Sequence, residues 1–339
     1  MVNRAPVSVI IPGYNGEAFI AETIQSVLAQ TLPVSEIILV DDASSDDTAK
    51  IAAALGVTVI RQRNTGVSGA RNAGIRAAKQ PWVCLLDQDD LWELGKIELQ
   101  WAALQLHPEA GVASCYMTWF EDPQIKGSTI VTDTDSSDRF AWKQSEEVNL
   151  KQSHDSAVSY FPQVEYEYLL HRMWDKPSSI MVRRDLLLSI GGFDERFRQN
   201  EDLDCFLRLV AHSPFVIVER PLVRRRIHER NKSDYSEASM SFLQLVEQIN
   251  AQPEKYPLGA AHAYREEAWR VMVQAGRLRL NEGRRREARA LFAASLKKLL
   301  FPSSDSTVVC EFPESFSVPE DRNNDDQVRS VVRDSDSGR

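Results

Sequence analysis

Apolar residues fall along the first 120 positions in two alternating rhythms. Short runs at residues 7–11, 36–40, 58–61, 82–86 and 112–120 have the length and β-branched content of buried strands. Between them lie stretches with helical spacing: 17–30, where Ile20, Ile24, Val27 and Leu28 recur on one side, then 48–55, the small-residue stretch 68–79, and 90–106. This order predicts βαβ units with right-handed crossovers, hence an α/β fold with a Rossmann-like, mostly parallel sheet and flanking helices. Open parallel sheets collect ligands at the C-terminal ends of their strands. The first and fourth strand runs break there into Pro12-Gly-Tyr-Asn15 and Asp87-Gln-Asp-Asp90, which places the expected site.

From residue 121 to about 164 the rhythm fades into Asp, Ser, Gln and Lys, an excursion long enough to pass over the active face. Order returns with predicted helices at 167–173, 184–190 and 200–210 and strands at 179–182, 215–218 and 222–227. In the third of these helices Leu203, Phe206, Leu207 and Val210 share one face. Residues 239–300 read as helical. Beyond them the apolar density is too low for a core.

Composition narrows the field. The chain has 339 residues, 43% of them apolar, enough to bury a full core. Its net charge of -9 includes -5 from residues 303–339, where nine acids face four Arg, so the rest carries only about -4 and matches a nucleic-acid binder poorly. Cys84, Cys115, Cys205 and Cys310 lack paired spacing, which argues against a zinc site and fits a reducing compartment. No run approaches the roughly 18 apolar residues of a spanning helix, and the first apolar run is too short for a signal sequence. Residues 265–300 carry ten basic against four acidic side chains, which suits a solvated face or a peripheral contact with anionic lipid. The expected location is cytoplasmic, with that contact at the inner membrane face.

Six ordered elements carry a resemblance: Pro12-x-Tyr14-Asn15, Val40-Asp41-Asp42-x-Ser44, Asn64-x-Gly66-x-Ser68-x-x-Arg71-Asn72-x-Gly74, Leu86-Asp87-x-Asp89-Asp90, Gly191-Gly192-Phe193-Asp194 and Glu201-Asp202-x-Asp204-x-x-x-Arg208. Over residues 5–235 the chain resembles the family 2 glycosyltransferases. That resemblance implies the A-type nucleotide-diphospho-sugar transferase fold, a divalent metal (Mg²⁺ or Mn²⁺), and transfer of a sugar with inversion to a saccharide or glycoconjugate acceptor in surface polysaccharide synthesis. It implies a catalytic domain at 1–236, with a nucleotide-binding half to about 120 and an acceptor half after it. A helical extension at 237–301 and a disordered acidic tail at 302–339 complete the expected organisation.

Each site residue also has a reading of its own. Asp42, ending the second strand, suits a base or ribose, or else opens an Asx turn that Asp41 and Ser44 can supply as well. Tyr14 could stack on a nucleobase; the resemblance places Pro12, Tyr14 and Asp42 in the nucleoside pocket and adds Asn15 to the donor-binding set. No Gly-x-Gly-x-x-Gly follows the first strand, so the diphosphate needs another partner, and Asp87-x-Asp89 at a strand end suits a divalent ion. Metal binding goes to Asp89, a place near the ribose to Asp87, and a helix-capping box with Glu93 to Asp90. Arg71, in the Gly-punctuated segment, either reaches ribose or phosphate or is a solvated helix residue.

Glu201 and Asp202 complement a helix N-terminus in any protein. The resemblance makes Asp202 the general base and Glu201 its acceptor-side support. His228, after Arg224-Arg225-Arg226, resembles a loop that closes over the diphosphate in some relatives; it is either a further metal ligand or a surface histidine. A non-catalytic sugar- or protein-binding module on the same fold, and an Asp-x-Asp phosphatase, are the competing functions.

Overall fold

The computed structural model describes residues 4–121, 158–163, 176–228, 235–281 and 283–300. The nine strands of the described residues are β1 (Ala5–Gly13), β2 (Val34–Asp41), β3 (Thr58–Arg61), β4 (Trp82–Leu85), β5 (Leu91–Trp92), β6 (Val112–Glu121), β7 (Val158–Phe161), β8 (Met181–Arg183) and β9 (Phe215–Ile227). They form one sheet in the order β3-β2-β1-β4-β8-β6-β9-β5, with β7 also on β9. The first four are parallel; β8 runs against β4 and β6, β9 runs with β6, and β5 and β7 run against β9. The sheet is therefore mixed but mostly parallel.

Both faces of the sheet are buried, which is why its strands read as continuous apolar runs. Along β1, Val9 and Ile11 join Ile20, Ile24 and Ile97 from α1 (Ile20–Leu28) and α4 (Lys96–Leu106) on one face. Ile10 points to the other, with Ala70 and Ile75 of α3 (Gly66–Ala77). The small residues of α3 have a cause: a Cβ at Gly74 would lie 2.3 Å from Ile10 Cγ2, so the helix backbone rests directly on the strand. The chain adds α2 (Thr48–Ala54), α5 (Arg184–Ser189), α6 (Glu201–His212), α7 (Tyr235–Ala251), α8 (Ala260–Asn281) and α9 (Arg285–Leu300). The last three do not stand apart. Leu243, Val246, Ile249 and Tyr264 belong to the same apolar cluster as Phe206 of α6 and Phe215 of β9.

Three expectations need correction. Helix α4 begins at Lys96, not at residue 90, because Leu91–Trp92 is drawn into the sheet opposite Val223 and Arg224 and the Trp92 indole N–H donates to Ser178 O at 2.9 Å. Asp90 therefore caps nothing. The two closing strands are one: β6 pairs with β9 throughout, Cys115 opposite Val218 and Tyr116 opposite Pro221, so Glu219 and Arg220 bulge where the apolar pattern lapses. Within the polar excursion, residues 158–161 form β7 on β9. The helix expected at 167–173 and the tail at 302–339 lie outside the described residues.

Candidate active site

Loops at the C-terminal ends of β1, β2 and β4 are tied together by side chains, and those ties shape the cleft. Gln88 is the central clamp: its Oε1 accepts from Tyr14 N at 2.8 Å and its Nε2 donates to Tyr14 O at 3.0 Å. The amide passes so close that a Cβ on Gly16 would sit 2.2 Å from Gln88 Oε1, which is why glycine stands there. With its backbone fixed, the Tyr14 ring stays 50% exposed over the cleft. Asn15, at φ 47°, accepts from Ser45 N at 2.9 Å and Oγ at 3.2 Å, while its own N–H donates to Ser44 Oγ at 3.0 Å. Its amide thus welds the β1 and β2 loops together.

Pro12, Tyr14, Asp42, Arg71, Asp87 and Asp89 line one cavity of about 370 Å³. Asp42 is buried there and accepts backbone N–H bonds from Thr65 at 2.9 Å and Gly66 at 2.8 Å, plus Gln62 Nε2 at 2.8 Å. It holds the entrance to α3 against the end of β2. Asp41 supplies the local turn, accepting from Ser44 N at 3.3 Å and pairing with Arg61 at 2.9 Å.

Arg71 is the buried hinge of the site. Its Nη2 donates to Asp87 Oδ1 at 2.8 Å and its Nη1 to Glu201 Oε1 at 2.9 Å, so the β4 end and the start of α6 meet on one guanidinium. Burial disfavours that cation, but Asp87 and Glu201 outweigh it and keep it charged. Arg71 Nε and Ser68 Oγ, one helical turn apart on α3, are buried without a hydrogen-bond partner among the described residues. Arg71→Met would strand both carboxylates, and breaking a buried pair costs on the order of 3–5 kcal/mol. A melting temperature within about a degree of wild type would contradict that role.

Burial and the neighbouring Asp202 raise the Glu201 carboxyl above its ordinary range, despite Arg71. Asp202 goes the other way. Burial pushes it up, but Lys176 Nζ at 2.7 Å, the charge of Arg71 and the N–H of Leu203 at 2.8 Å hold it below the ordinary aspartate range. Asp202 therefore stands ionised.

A second cavity, about 520 Å³, shares Tyr14, Asp87, Gln88 and Asp89 with the first and adds Asn15, Phe19, Asp90, Arg225 and His228. His228 Nε2 lies 2.8 Å from Asp89 Oδ2, and its ring stacks on Phe19 with centroids 4.8 Å apart. Asp90 points inward, accepting from Ser178 Oγ at 2.6 Å and Arg226 N at 3.3 Å. Burial, then the charges of Asp87 and Asp89, push its carboxyl up to about 8.

Residues 8–157 match the family described as Glycosyl transferase family 2. Over those residues the chain carries a glycosyl transferase family 2 domain. The chain is 30% identical over 225 residues to the uncharacterized glycosyltransferase RP339 of Rickettsia prowazekii, a match spanning 66% of this chain and 64% of that relative. Over 108 residues it is 40% identical to the putative teichuronic acid biosynthesis glycosyltransferase TuaG of Bacillus subtilis, covering 30% of this chain and 42% of TuaG. The fold matches residues 1–349 of S. aureus TarS, solved with UDP-GlcNAc, at a TM-score of 0.58 and 18% identity, over 87% of this chain and 80% of that one.

Against the family 2 motifs, the structure brings Pro12, Tyr14, Asp42, Arg71, Asp87 and Asp89 to one cavity, and Asn15 and His228 to its neighbour. Glu201 joins them through Arg71, and Asp202 follows it on α6. Gln88 and Lys176 went unnoticed in the sequence. Gln88 is the unspecified residue of Asp87-x-Asp89, and Lys176 stands in a polar stretch with no periodicity.

Proposed function

We propose that this chain is an inverting glycosyltransferase that moves a sugar from a nucleoside-diphosphate donor to a saccharide or glycoconjugate acceptor. The observation that carries this reading is the Arg71 bridge, which joins the cleft acids at the end of β4 to Glu201-Asp202. Tyr14 is placed to stack on the base, and Asp42 and Asp87 to receive donor hydroxyl or N–H groups. Asp202 takes the proton from an acceptor hydroxyl as that oxygen bonds to the anomeric carbon, and the bond from that carbon to the diphosphate breaks with its electron pair on the leaving phosphate.

Asp89 and His228 fit a divalent ion. The Asp89 carboxylate on the cavity wall is a ligand that suits Mn²⁺ or Mg²⁺, and the imidazole nitrogen 2.8 Å from it would offer a further ligand to a first-row ion such as Mn²⁺. When bound, such an ion supplies Lewis-acid neutralisation of the diphosphate. The structure of TarS with UDP-GlcNAc supports uridine as the nucleoside to test first, and the name of TuaG supports an acceptor in surface polysaccharide synthesis. Among the described residues no helix is long and apolar enough to cross a membrane. A cytoplasmic place of action, with peripheral membrane contact through the basic helices, completes the proposal.

The test is a screen of purified UDP-, GDP- and dTDP-sugars with Mn²⁺ or Mg²⁺, reading release of the nucleoside diphosphate. Release from a UDP-sugar that stops on addition of chelator is expected. Tight UDP binding without turnover of any donor, with or without saccharide acceptors, would favour the non-catalytic binding module instead.

A further inference from the structure

The N-terminus of α6, which carries Glu201 and Asp202, has no cap of its own. Asn200 precedes it in the left-handed region at φ 61°, and its side chain makes no capping bond. Three acids, Glu201, Asp202 and Asp204, crowd the first turn. The macrodipole favours them there, but their mutual repulsion opposes close placement. External contacts hold the turn instead. Arg71 of α3 takes Glu201, Lys176 takes Asp202, and Asp204 is held from the C-terminal helices.

Residues two apart on a helix point about 200° apart, so Asp204 faces away from Asp202. Its carboxylate is fully buried. Oδ1 accepts from the Tyr256 hydroxyl at 2.7 Å and from Gln248 Nε2 at 3.3 Å, and Gln248 Nε2 also reaches the Tyr256 hydroxyl at 2.9 Å. Oδ2 takes Arg208, which in turn donates to Ile190 O at 2.7 Å and Gly192 O at 2.9 Å. A second set of bonds grips the residues just before the turn: Asn200 Nδ2 donates to Ala238 O at 3.0 Å, and Ser241 Oγ to Gln199 O. Ala238, Ser241 and Gln248 lie on α7, and Tyr256 follows it.

We infer that the C-terminal helices are a working part of the active site, with Tyr256 and Asn200 as positioning residues that set where Asp202 stands. This rests on the reading of Asp202 as the base. The physical reason is the tolerance of the chemistry: displacing a reacting group by about 1 Å can cost on the order of 10²-fold in rate. The turn that carries Asp202 is fixed from behind by bonds that span 38 to 52 residues of chain, rather than by its own cap. The extension therefore influences turnover without lining the cleft.

The test uses the full chain with Tyr256→Phe, which keeps the ring in the core and deletes the hydroxyl, and Asn200→Gly, which keeps the left-handed backbone and deletes the bond to Ala238. The probe is UDP, together with the UDP-sugar that wild type turns over fastest. Each variant is expected to lower kcat by about 5- to 50-fold while KM for the donor and the affinity and stoichiometry of UDP binding stay within twofold. Amide hydrogen exchange at residues 199–204 is expected to accelerate by about tenfold, with β1 and α3 unchanged. An unchanged kcat would overturn the inference, as would a kcat that falls only in proportion to UDP-binding stoichiometry, since that reports lost folded protein. Asp202→Asn run in parallel separates the two failures: if it turns over normally, the base assignment is wrong, whereas an inactive Asp202→Asn beside a normal Tyr256→Phe refutes the positioning role alone.

Discussion

Asp202→Asn is expected to lower turnover by about 10²- to 10⁴-fold, the usual worth of a positioned base, while UDP affinity stays within a few-fold of wild type. The substitution preserves size and one accepting oxygen, so one of the two bonds, from Lys176 or from the Leu203 N–H, survives it. A helix-terminal acid without chemistry would instead give a stability loss of up to about 1 kcal/mol and near-normal turnover. The pH dependence follows from the same contacts. Because burial is outweighed by Lys176, Arg71 and the Leu203 N–H, which hold the carboxyl below its ordinary range, Asp202 is ionised throughout pH 5–8 and contributes no acid limb there. Lys176→Met removes the largest counterweight to burial. The acid limb of kcat should then move upward in pH; a limb that stays in place would show that Lys176 does not set the base.

Asp89→Asn is expected to abolish metal-dependent strengthening of UDP binding and to cut turnover at least 10²-fold, because neutralising a diphosphate by a Lewis acid is worth several kcal/mol. The carboxylate is partly exposed and contacts His228 Nε2, so the fold should tolerate the change, and circular dichroism should match wild type. His228→Ala should weaken the same metal dependence to a smaller degree. Titration of Mn²⁺ into the UDP complex, followed calorimetrically, reads this directly. Equal metal response in wild type and Asp89→Asn would remove Asp89 from the metal site.

Apart from β5 and the start of α4, the strands and helices of the first 120 residues were legible because both faces of their sheet are buried, so apolar runs and helical spacing report burial directly. The acids at the strand ends were legible for a related reason: Asp42 and Asp87 interrupt apolar runs where only a ligand-facing or loop-holding role tolerates a carboxylate. What stayed hidden depended on partners distant in sequence. Nothing local separates Asp90 from a helix cap; only the pull of Leu91–Trp92 onto Val223 and Arg224 turns it inward toward Ser178. Arg71 could be read as reaching toward phosphate, but its pairing with Glu201 spans 130 residues, and no periodicity encodes such a contact. The same holds for Tyr256 and Asp204, 52 residues apart, which join the C-terminal helices to α6.

Anomeric configuration tests the central claim most directly, because a single displacement assisted by one carboxylate inverts the donor carbon whatever the acceptor. With water as acceptor and an α-linked UDP-sugar labelled at the anomeric carbon, early NMR spectra are expected to show the β sugar first, with the α form growing only as the free sugar mutarotates. Release of the α sugar as the first product would contradict inversion and, with it, the assignment of Asp202 as the base of a single-displacement transfer.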